Sequence, residues 1–203
     1  ITYRKIDDQT VKIDISQFVD ETPDVFNRSW DKVVNSINNE IPNLKNIVVD
    51  LRNNPGGYVY SLRYVLEEFM GNGTILMKEM DANDRVVIYR DSRQGKFENM
   101  NLTVLVNEGS ASASEIFASA IQDNNRGEII GKKTVGKGVE QELIQLDDGS
   151  MLILVFQKWL TPNGNKISKE SPITPDFEID YSEDEMRKGV DPQLDKALEL
   201  LRD

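Results

Sequence analysis

The stretch EGSASASEIFASAIQD, residues 108 to 123, decides the fold because an apolar strand pattern ends there and a helical pattern begins. Ser112 and Glu115 fit the S-x-x-E capping box, which predicts a helix that starts at Ser112. A hydroxyl at such a junction also lies beside free backbone N–H groups, at the positive end of the helix dipole. The stretch therefore predicts a strand followed by a helix, and it makes Ser112 either a cap or a nucleophile.

Strand and helix patterns alternate along the rest of the chain. Alternating apolar residues predict a strand in TVKIDISQF, residues 10 to 18, and Thr22 followed by Pro23 predicts the start of a long helix. The apolar, β-branched run NIVVDL, residues 46 to 51, is typical of a central strand. This alternation predicts an α/β core with parallel strands. The patterns also predict a helix in YVYSLRYVLEEFM, strands in TILMKEM, RVVIYR and NLTVLV, a hairpin of VEQELIQL and SMLILVFQKWL around DDG, a loop from Thr161 to Pro175, and a closing helix in DPQLDKALELL that Asp191 caps and Pro192 opens.

The composition bounds the function. A chain of 203 residues, 38% of them hydrophobic, predicts one compact domain over residues 1 to 203. The net charge of −11 argues against a nucleic-acid partner, and no apolar run approaches the ~20 residues of a membrane span. The sequence contains no cysteine and no histidine, which excludes disulfides, thiolate chemistry and histidine bases. A nucleophilic serine here must take its base from lysine, a carboxylate or water.

Two glycine-bearing stretches add to the serine-rich one. In DLRNNPGGYV, residues 50 to 59, Gly56 and Gly57 would let the backbone approach another group closely. In TVGKGVEQ, residues 134 to 141, Lys137 lies between two glycines and directly before a strand pattern. Taken alone, each stretch is explained as well by a tight turn or by a solvated loop lysine. The three stretches together are far more specific than any one of them.

The chain resembles the C-terminal processing peptidases, also called tail-specific proteases, which are serine proteases with a Ser-Lys dyad. The resemblance covers nearly the whole chain and implies an α/β, crotonase-like spiral of strand and helix repeats with an additional antiparallel hairpin. The matching stretches, which keep the family's order and spacing, are IVVDLRNNPGG, VNEGSASASEIFASAIQD, IIGKKTVGKG, QLDDGSMLILVFQKWLTPNG, ITPDFEID and DPQLDKALELL.

The resemblance assigns roles to individual residues. It implies that Ser112 is the nucleophile, that Lys137 is its general base and that Gln141 orients that lysine. The backbone N–H groups of Gly57 and Ala113 would form the oxyanion hole. No metal or cofactor is implied.

Other consequences of the resemblance concern Asp123 and the surroundings of the chain. Asp123 matches an acidic position linked to activity in some members, for which we expect a structural role. The implied partners are polypeptides that are unfolded or have exposed C-termini, and a homo-oligomer is among the expectations. Members usually act outside the cytoplasm. They commonly carry a PDZ domain before the first predicted strand, and this chain contains none, which puts substrate capture in question.

The dyad makes a physical demand on Lys137. An ammonium must lose its proton before it can act as a base, and desolvation among apolar walls would favour the neutral amine. Three alternatives stay open at this point. The chain could be a non-catalytic peptide-binding domain on the same fold, a crotonase-type acyl-CoA enzyme, or a protein in which Ser112 only caps a helix and Lys137 is solvated.

Overall fold

The structure, a computed structural model, describes residues 1 to 202, apart from the side chains of Glu142 and Leu143. The chain forms two β-sheets, and helices pack against them. In chain order the elements are β1 Thr2–Lys5, β2 Thr10–Asp14, α1 Pro23–Glu40, β3 Asn46–Asp50, α2 Val59–Leu66, β4 Ile75–Asp81, β5 Val86–Arg90, β6 Asn101–Val106, α3 Ala113–Asp123, β7 Glu128–Gly131, β8 Val139–Gln145, β9 Met151–Leu160, β10 Phe177–Glu178, α4 Glu183–Arg187 and α5 Pro192–Leu200.

The first sheet has the order β1-β2-β3-β6-β7-β10, and its strands are parallel except for β1. Ile47 and Val49 face the main core, which also holds apolar residues of α1, α2 and α3. Val48, between them in β3, faces a smaller core formed with α5. Both faces of β3 are therefore buried, which is why its sequence is a continuous apolar run. The predicted α/β core with parallel strands is confirmed.

The second sheet is antiparallel and has the order β5-β4-β9-β8. The predicted late hairpin is present as β8 and β9, but the antiparallel part is larger than the prediction because β4 and β5 belong to it. They join because β9 runs past the hairpin and pairs with β4, Lys78 lying opposite Leu160. The sequence patterns also missed β1, β7, β10 and α4, which have only four, four, two and five residues.

The predicted helix starts are confirmed. The Thr22 hydroxyl accepts a hydrogen bond from the Val25 N–H at 3.3 Å, and Pro23 opens α1. Helix α5 begins in the same way after Asp191. None of the helices in residues 1 to 202 combines the length and the apolar character that a membrane crossing requires.

A buried ionic network attaches α5 to the first sheet. The Arg52 guanidinium contacts the carboxylates of Asp50 at 2.6 Å and Asp191 at 2.8 Å. The Lys12 ammonium also contacts the Asp50 carboxylate, at 2.8 Å. Burial opposes the ionisation of Asp50, but the hydrogen bonds and charges of Arg52 and Lys12 outweigh it and hold the pKa of Asp50 below its usual value.

We predict that Arg52→Met lowers the free energy of unfolding by about 3 kcal/mol at pH 7, because it leaves a buried carboxylate short of a partner. Asp50 has a depressed pKa in the folded state. Its contribution is therefore present above the ordinary aspartate pKa of ~3.9 and is lost as the pH falls through the lower folded value. The difference between the two proteins should shrink below about pH 4 in urea titrations. Arg28→Met, at an exposed site on α1, is the control. Equal losses in both variants would contradict the prediction.

Candidate active site

The turn between β6 and α3 holds Ser112 in a strained backbone conformation. Ser112 is the N-cap residue of α3, with φ 54° and ψ −114°. Such a conformation costs a non-glycine residue on the order of 1–3 kcal/mol and is typical of functional turns. The Glu115 half of the predicted capping box is present, since the Ser112 N–H donates to the Glu115 carboxylate at 2.9 Å.

The three serines of the turn have different surroundings. Ser110 is fully buried and its hydroxyl donates to the Leu51 carbonyl at 2.8 Å. Ser114 is also fully buried, and its hydroxyl donates to the Asn54 carbonyl at 3.0 Å. Ser112 is only half-buried and lines a pocket. Of the three hydroxyls, that of Ser112 is the one open to a ligand.

The pocket at Ser112 has a volume of about 370 Å³ and lies between the first sheet's loops and the second sheet. It brings together four of the five residues that the sequence predicted for the site. The fifth, Ala113, directly follows Ser112 and is fully buried. The residues that line the pocket are Pro55, Gly57, Tyr58, Val59, Ser112, Lys137, Val139, Glu140, Gln141 and Trp159.

The two glycines of the first loop allow close backbone contacts. Gly56 has φ 102°, and a Cβ there would lie 2.8 Å from the Cβ of Ser112. Gly57 has φ 144°, and a Cβ there would lie 2.5 Å from the carbonyl oxygen of Phe18. Only glycine tolerates both the positive φ and the contact.

The backbone N–H groups beside Ser112 differ in their partners. The Gly56 N–H donates to the Asn54 side chain at 2.8 Å, and Asn54 is itself held by its donation to the Ile15 carbonyl at 2.7 Å. Within residues 1 to 202, neither the Gly57 N–H nor the Ala113 N–H has an acceptor in the protein. These are the two N–H groups that the resemblance assigns to an oxyanion hole; Gly57 lines the pocket, and Ala113 is the residue after Ser112, which also lines it.

Lys137 does not have the surroundings that the sequence analysis predicts. Its side chain is exposed, so the expected enclosure by apolar walls is wrong for the unbound protein. The flanking glycines pack instead: a Cβ on Gly136 would lie 2.2 Å from the carbonyl oxygen of Ser168, and a Cβ on Gly138 would lie 2.1 Å from that of Ile167. The glycines therefore fix the backbone of the loop while the lysine side chain extends into solvent.

Lys137, Ser112 and Gln141 share the pocket without direct hydrogen bonds. In the part of the chain that the structure describes, no hydrogen bond joins the Lys137 ammonium to either of the other two side chains. Catalytic hydrogen bonds are often long in unliganded enzymes and shorten when substrate binds.

A buried carboxylate connects the two loops that carry Ser112 and Lys137. Glu115 is fully buried, and one of its oxygens accepts from the N–H groups of Ser112 at 2.9 Å and Lys137 at 2.7 Å. The other accepts from the Gly136 N–H at 2.7 Å and the Thr134 hydroxyl at 2.5 Å. The S-x-x-E pattern predicts only a capping role for Glu115 and gives no sign of these contacts. The available signal was a glutamate on an otherwise apolar helix face.

Asp123 lies away from the pocket. It ends α3, eleven residues after Ser112, which corresponds to about 16 Å along the helix axis. Its carboxylate accepts from the Asn163 N–H at 2.8 Å and so holds the turn that follows β9. This contact fits the structural role expected for Asp123.

One acidic side chain faces the pocket. Burial, the negative charge of Glu79 and a hydrogen bond with Glu79 raise the pKa of Glu140 above the usual glutamate value. Glu140 belongs to β8, next to the loop of Lys137. The pocket therefore contains a carboxyl group that resists ionisation.

A serine at a strained strand-to-helix turn that shares its pocket with a lysine is typical of hydrolases that use lysine in place of histidine. Comparison with known proteins agrees: residues 9 to 179 match the profile of peptidase family S41, and the chain belongs to that family. A probable CtpA-like serine protease of Staphylococcus aureus strain N315 is 42% identical over 138 residues, which are 68% of this chain and 28% of the relative. The corresponding protein of Staphylococcus saprophyticus is 37% identical over the same share of both chains.

Solved structures show the same fold. The photosystem II D1 C-terminal processing protease matches with a TM-score of 0.73 and 28% identity, over 84% of this chain and 42% of that one. A putative peptidase from Parabacteroides merdae matches with a TM-score of 0.77 and 19% identity, over 98% of this chain and 63% of that one. The chain thus spans less than a third of the length of the curated relatives that it matches.

We predict that Glu115→Gln reduces the turnover of the enzyme at least 100-fold and lowers the free energy of unfolding by about 3 kcal/mol. The NH₂ group of the glutamine would face hydrogen-bond donors, which a carboxylate oxygen can accept from and an NH₂ group cannot. Hydrogen bonds to a charged group are worth about 1.5–3 kcal/mol each. Peptidase assays and urea unfolding measure the two effects. Glu108→Gln, at an exposed site on the same turn, is the matched control. Full activity in the Glu115 variant would show that the carboxylate does not organise the site.

We also predict that the free energy of unfolding, measured in urea, is about 1–2 kcal/mol higher for Ser112→Gly than for Ser112→Ala. Glycine adopts a φ of 54° without the strain that a Cβ imposes, and alanine retains that strain. Equal stability of the two variants would mean that the turn relaxes around Ser112 and stores no strain.

Proposed function

We propose that this chain is the catalytic domain of a serine endopeptidase in which Ser112 is the nucleophile and Lys137 is the general base. The observation that carries the proposal is the shared pocket, where the one accessible hydroxyl of the turn lies with Lys137. The absence of histidine from the sequence leaves lysine as the natural base. Membership in a peptidase family and relatives named as serine proteases support the same reaction.

The proposed reaction follows from the positions of the groups. Ser112 Oγ attacks the carbonyl carbon of a peptide bond as Lys137 Nζ accepts its proton. The N–H groups of Gly57 and Ala113 donate to the oxyanion that forms. The Lys137 ammonium then returns the proton to the leaving amine, and water hydrolyses the acyl-enzyme. Gln141, on the strand that follows the lysine loop, would orient Lys137 during these steps.

Substrate binding supplies the desolvation that the unbound site lacks. Lys137 is exposed to water when the pocket is empty. A polypeptide that fills the pocket would displace that water from the lysine and would favour the neutral amine. The base would thus become active only when a substrate covers it.

The setting of the reaction is proposed from the same family. We expect a single protease domain with a crotonase-like spiral of strand and helix repeats, acting outside the cytoplasm, with a homo-oligomer as one form of its assembly. The substrates would be polypeptides cut near exposed C-termini, as the name of the D1 C-terminal processing protease indicates for that protein.

A non-catalytic peptide-binding domain is the second candidate. It is favoured by the exposed side chain of Lys137, which lies without a hydrogen bond to Ser112 in the described residues. Such a domain would bind unfolded polypeptides in the same pocket and release them uncut.

We predict that the unmodified chain cleaves β-casein, an unfolded protein, and that Ser112→Ala and Lys137→Ala each lower kcat/KM by roughly 10⁴-fold or more. Loss of either dyad member removes the same covalent step, so the two effects should be similar. The measurement is the rate of appearance of new amino groups, with the cut sites read by mass spectrometry.

Lys133→Ala is the matched control because Lys133 is an exposed lysine of the same segment. It should change the rate by less than about twofold. If all four proteins bind β-casein and none cuts it, the peptide-binding candidate replaces the enzyme. If Lys137→Ala cuts as fast as the unmodified chain, the base has been assigned to the wrong residue.

A further inference from the structure

The hairpin of β8 and β9 extends beyond the other two strands of the second sheet, β4 and β5. Strand β9 pairs with β4 only through residues 157 to 160. Residues 151 to 155 pair with β8 alone, from Gln145 opposite Met151 to Gln141 opposite Val155. We call residues 141 to 156 the arm.

The arm has an apolar surface on both faces. The six consecutive residues from Met151 to Phe156 all have large apolar side chains, each between 39% and 57% exposed. Successive residues of a strand point to opposite faces, so neither face of the ribbon is polar throughout. A two-stranded ribbon is marginally stable in water, and contiguous exposed apolar surface is typical of a binding site.

The arm also presents a free strand edge. Strand β8 is the last in the order β5-β4-β9-β8, so one of its sides has no strand partner within residues 1 to 202. Such an edge carries backbone donors and acceptors that an extended peptide can pair with.

The free edge leads into the candidate active site. Strand β8 begins at Val139, two residues after Lys137, and Val139, Glu140 and Gln141 line the pocket that holds Ser112. Its seven residues reach about 23 Å from the pocket to the tip. A peptide paired with β8 would therefore lie along the arm and enter the pocket where β8 begins.

The charges of the chain favour a foreign polypeptide over a second copy. The net charge of −11 makes a second copy of the chain a less favourable occupant of the arm than a basic or neutral polypeptide. The tip of the arm carries Asp147 and Asp148, both exposed. Lysine or arginine beside an apolar segment would complement this tip, whereas acidic flanks would be repelled.

We infer that the arm docks an extended, apolar segment of an unfolded polypeptide substrate, which adds as a strand to the free edge of β8 with basic flanks near Asp147 and Asp148. The inference rests on the proposed function, since it assigns the arm to the substrate of that same site. The arm holds the part of the chain that lies outside the pocket, while the pocket holds the bond to be cut.

The first test compares two substrates. One is β-casein, and the other is a six-residue peptide that spans the first bond cut in it, which is too short to reach the arm. The kcat/KM for β-casein divided by the kcat/KM for the peptide should fall at least tenfold in the variant Leu152→Ser, Ile153→Ser, because the KM for β-casein rises. The matched control is Val87→Ser, Ile88→Ser, an equally exposed consecutive pair on β5 at the opposite edge of the same sheet. Equal ratios in the variant and the control would overturn the inference.

The second test needs no variant of the arm. Amide hydrogen exchange is measured in the Ser112→Ala protein, which should leave β-casein uncut, with and without β-casein. Amides within residues 139 to 145 should exchange at least fivefold more slowly when β-casein is bound. A synthetic peptide of alternating valine and threonine should protect the same amides better when lysines flank it than when aspartates do. Binding without protection of β8 would overturn strand addition.

The outcomes separate this inference from the proposed function. Protection of β8 without cleavage by the unmodified chain would keep the docking arm and remove the peptidase. Cleavage at Ser112 without protection of β8 would keep the peptidase and remove the docking arm. A concentration-dependent dimer in sedimentation, lost in the Leu152→Ser, Ile153→Ser variant, would assign the arm to a second copy and overturn the inference.

Discussion

The four hydrogen bonds of the Glu115 carboxylate join two segments that lie about twenty residues apart in the sequence. One segment is the strained start of α3, and the other is the loop from Thr134 to Lys137. A buried carboxylate requires several donors, and two of the four here are the backbone N–H groups of the proposed nucleophile and the proposed base. The relative position of Ser112 and Lys137 therefore depends on an interaction in which neither side chain takes part.

Glycines in the loops of the site also help to fix its backbone. Gly56 lets its loop lie against Ser112, and Gly136 and Gly138 let the lysine loop lie against the segment at Ile167. The site forms where the loops of the mainly parallel sheet meet strand β8 at the edge of the antiparallel sheet. A rigid backbone thus surrounds a lysine that is still open to solvent, which leaves the last step of assembly to the substrate.

Much of this fold could be predicted from residue patterns. The periodic helix α1 buries one face and the apolar strand β3 buries both, and in each element this burial determines which residues are apolar. Strands β1, β7 and β10 are too short for a periodic signal, and β10 exists because its two residues pair with Ile130 and Gly131 in β7. The site residues were predicted from motifs, which name residues but not their surroundings. Motifs therefore could not show that Lys137 is exposed or that Glu115 reaches across to its loop.

The central claim is that the Ser112 hydroxyl forms a covalent bond to its substrate. The most direct measurement is intact-mass spectrometry of the chain mixed with a slowly deacylating peptide ester, followed by peptide mapping of the modified site. The proposed mechanism predicts a mass increase equal to the acyl group, located on Ser112, that is absent in Ser112→Ala and strongly reduced in Lys137→Ala. Turnover of the ester without an adduct on Ser112, or an adduct on Ser110 or Ser114, would contradict it.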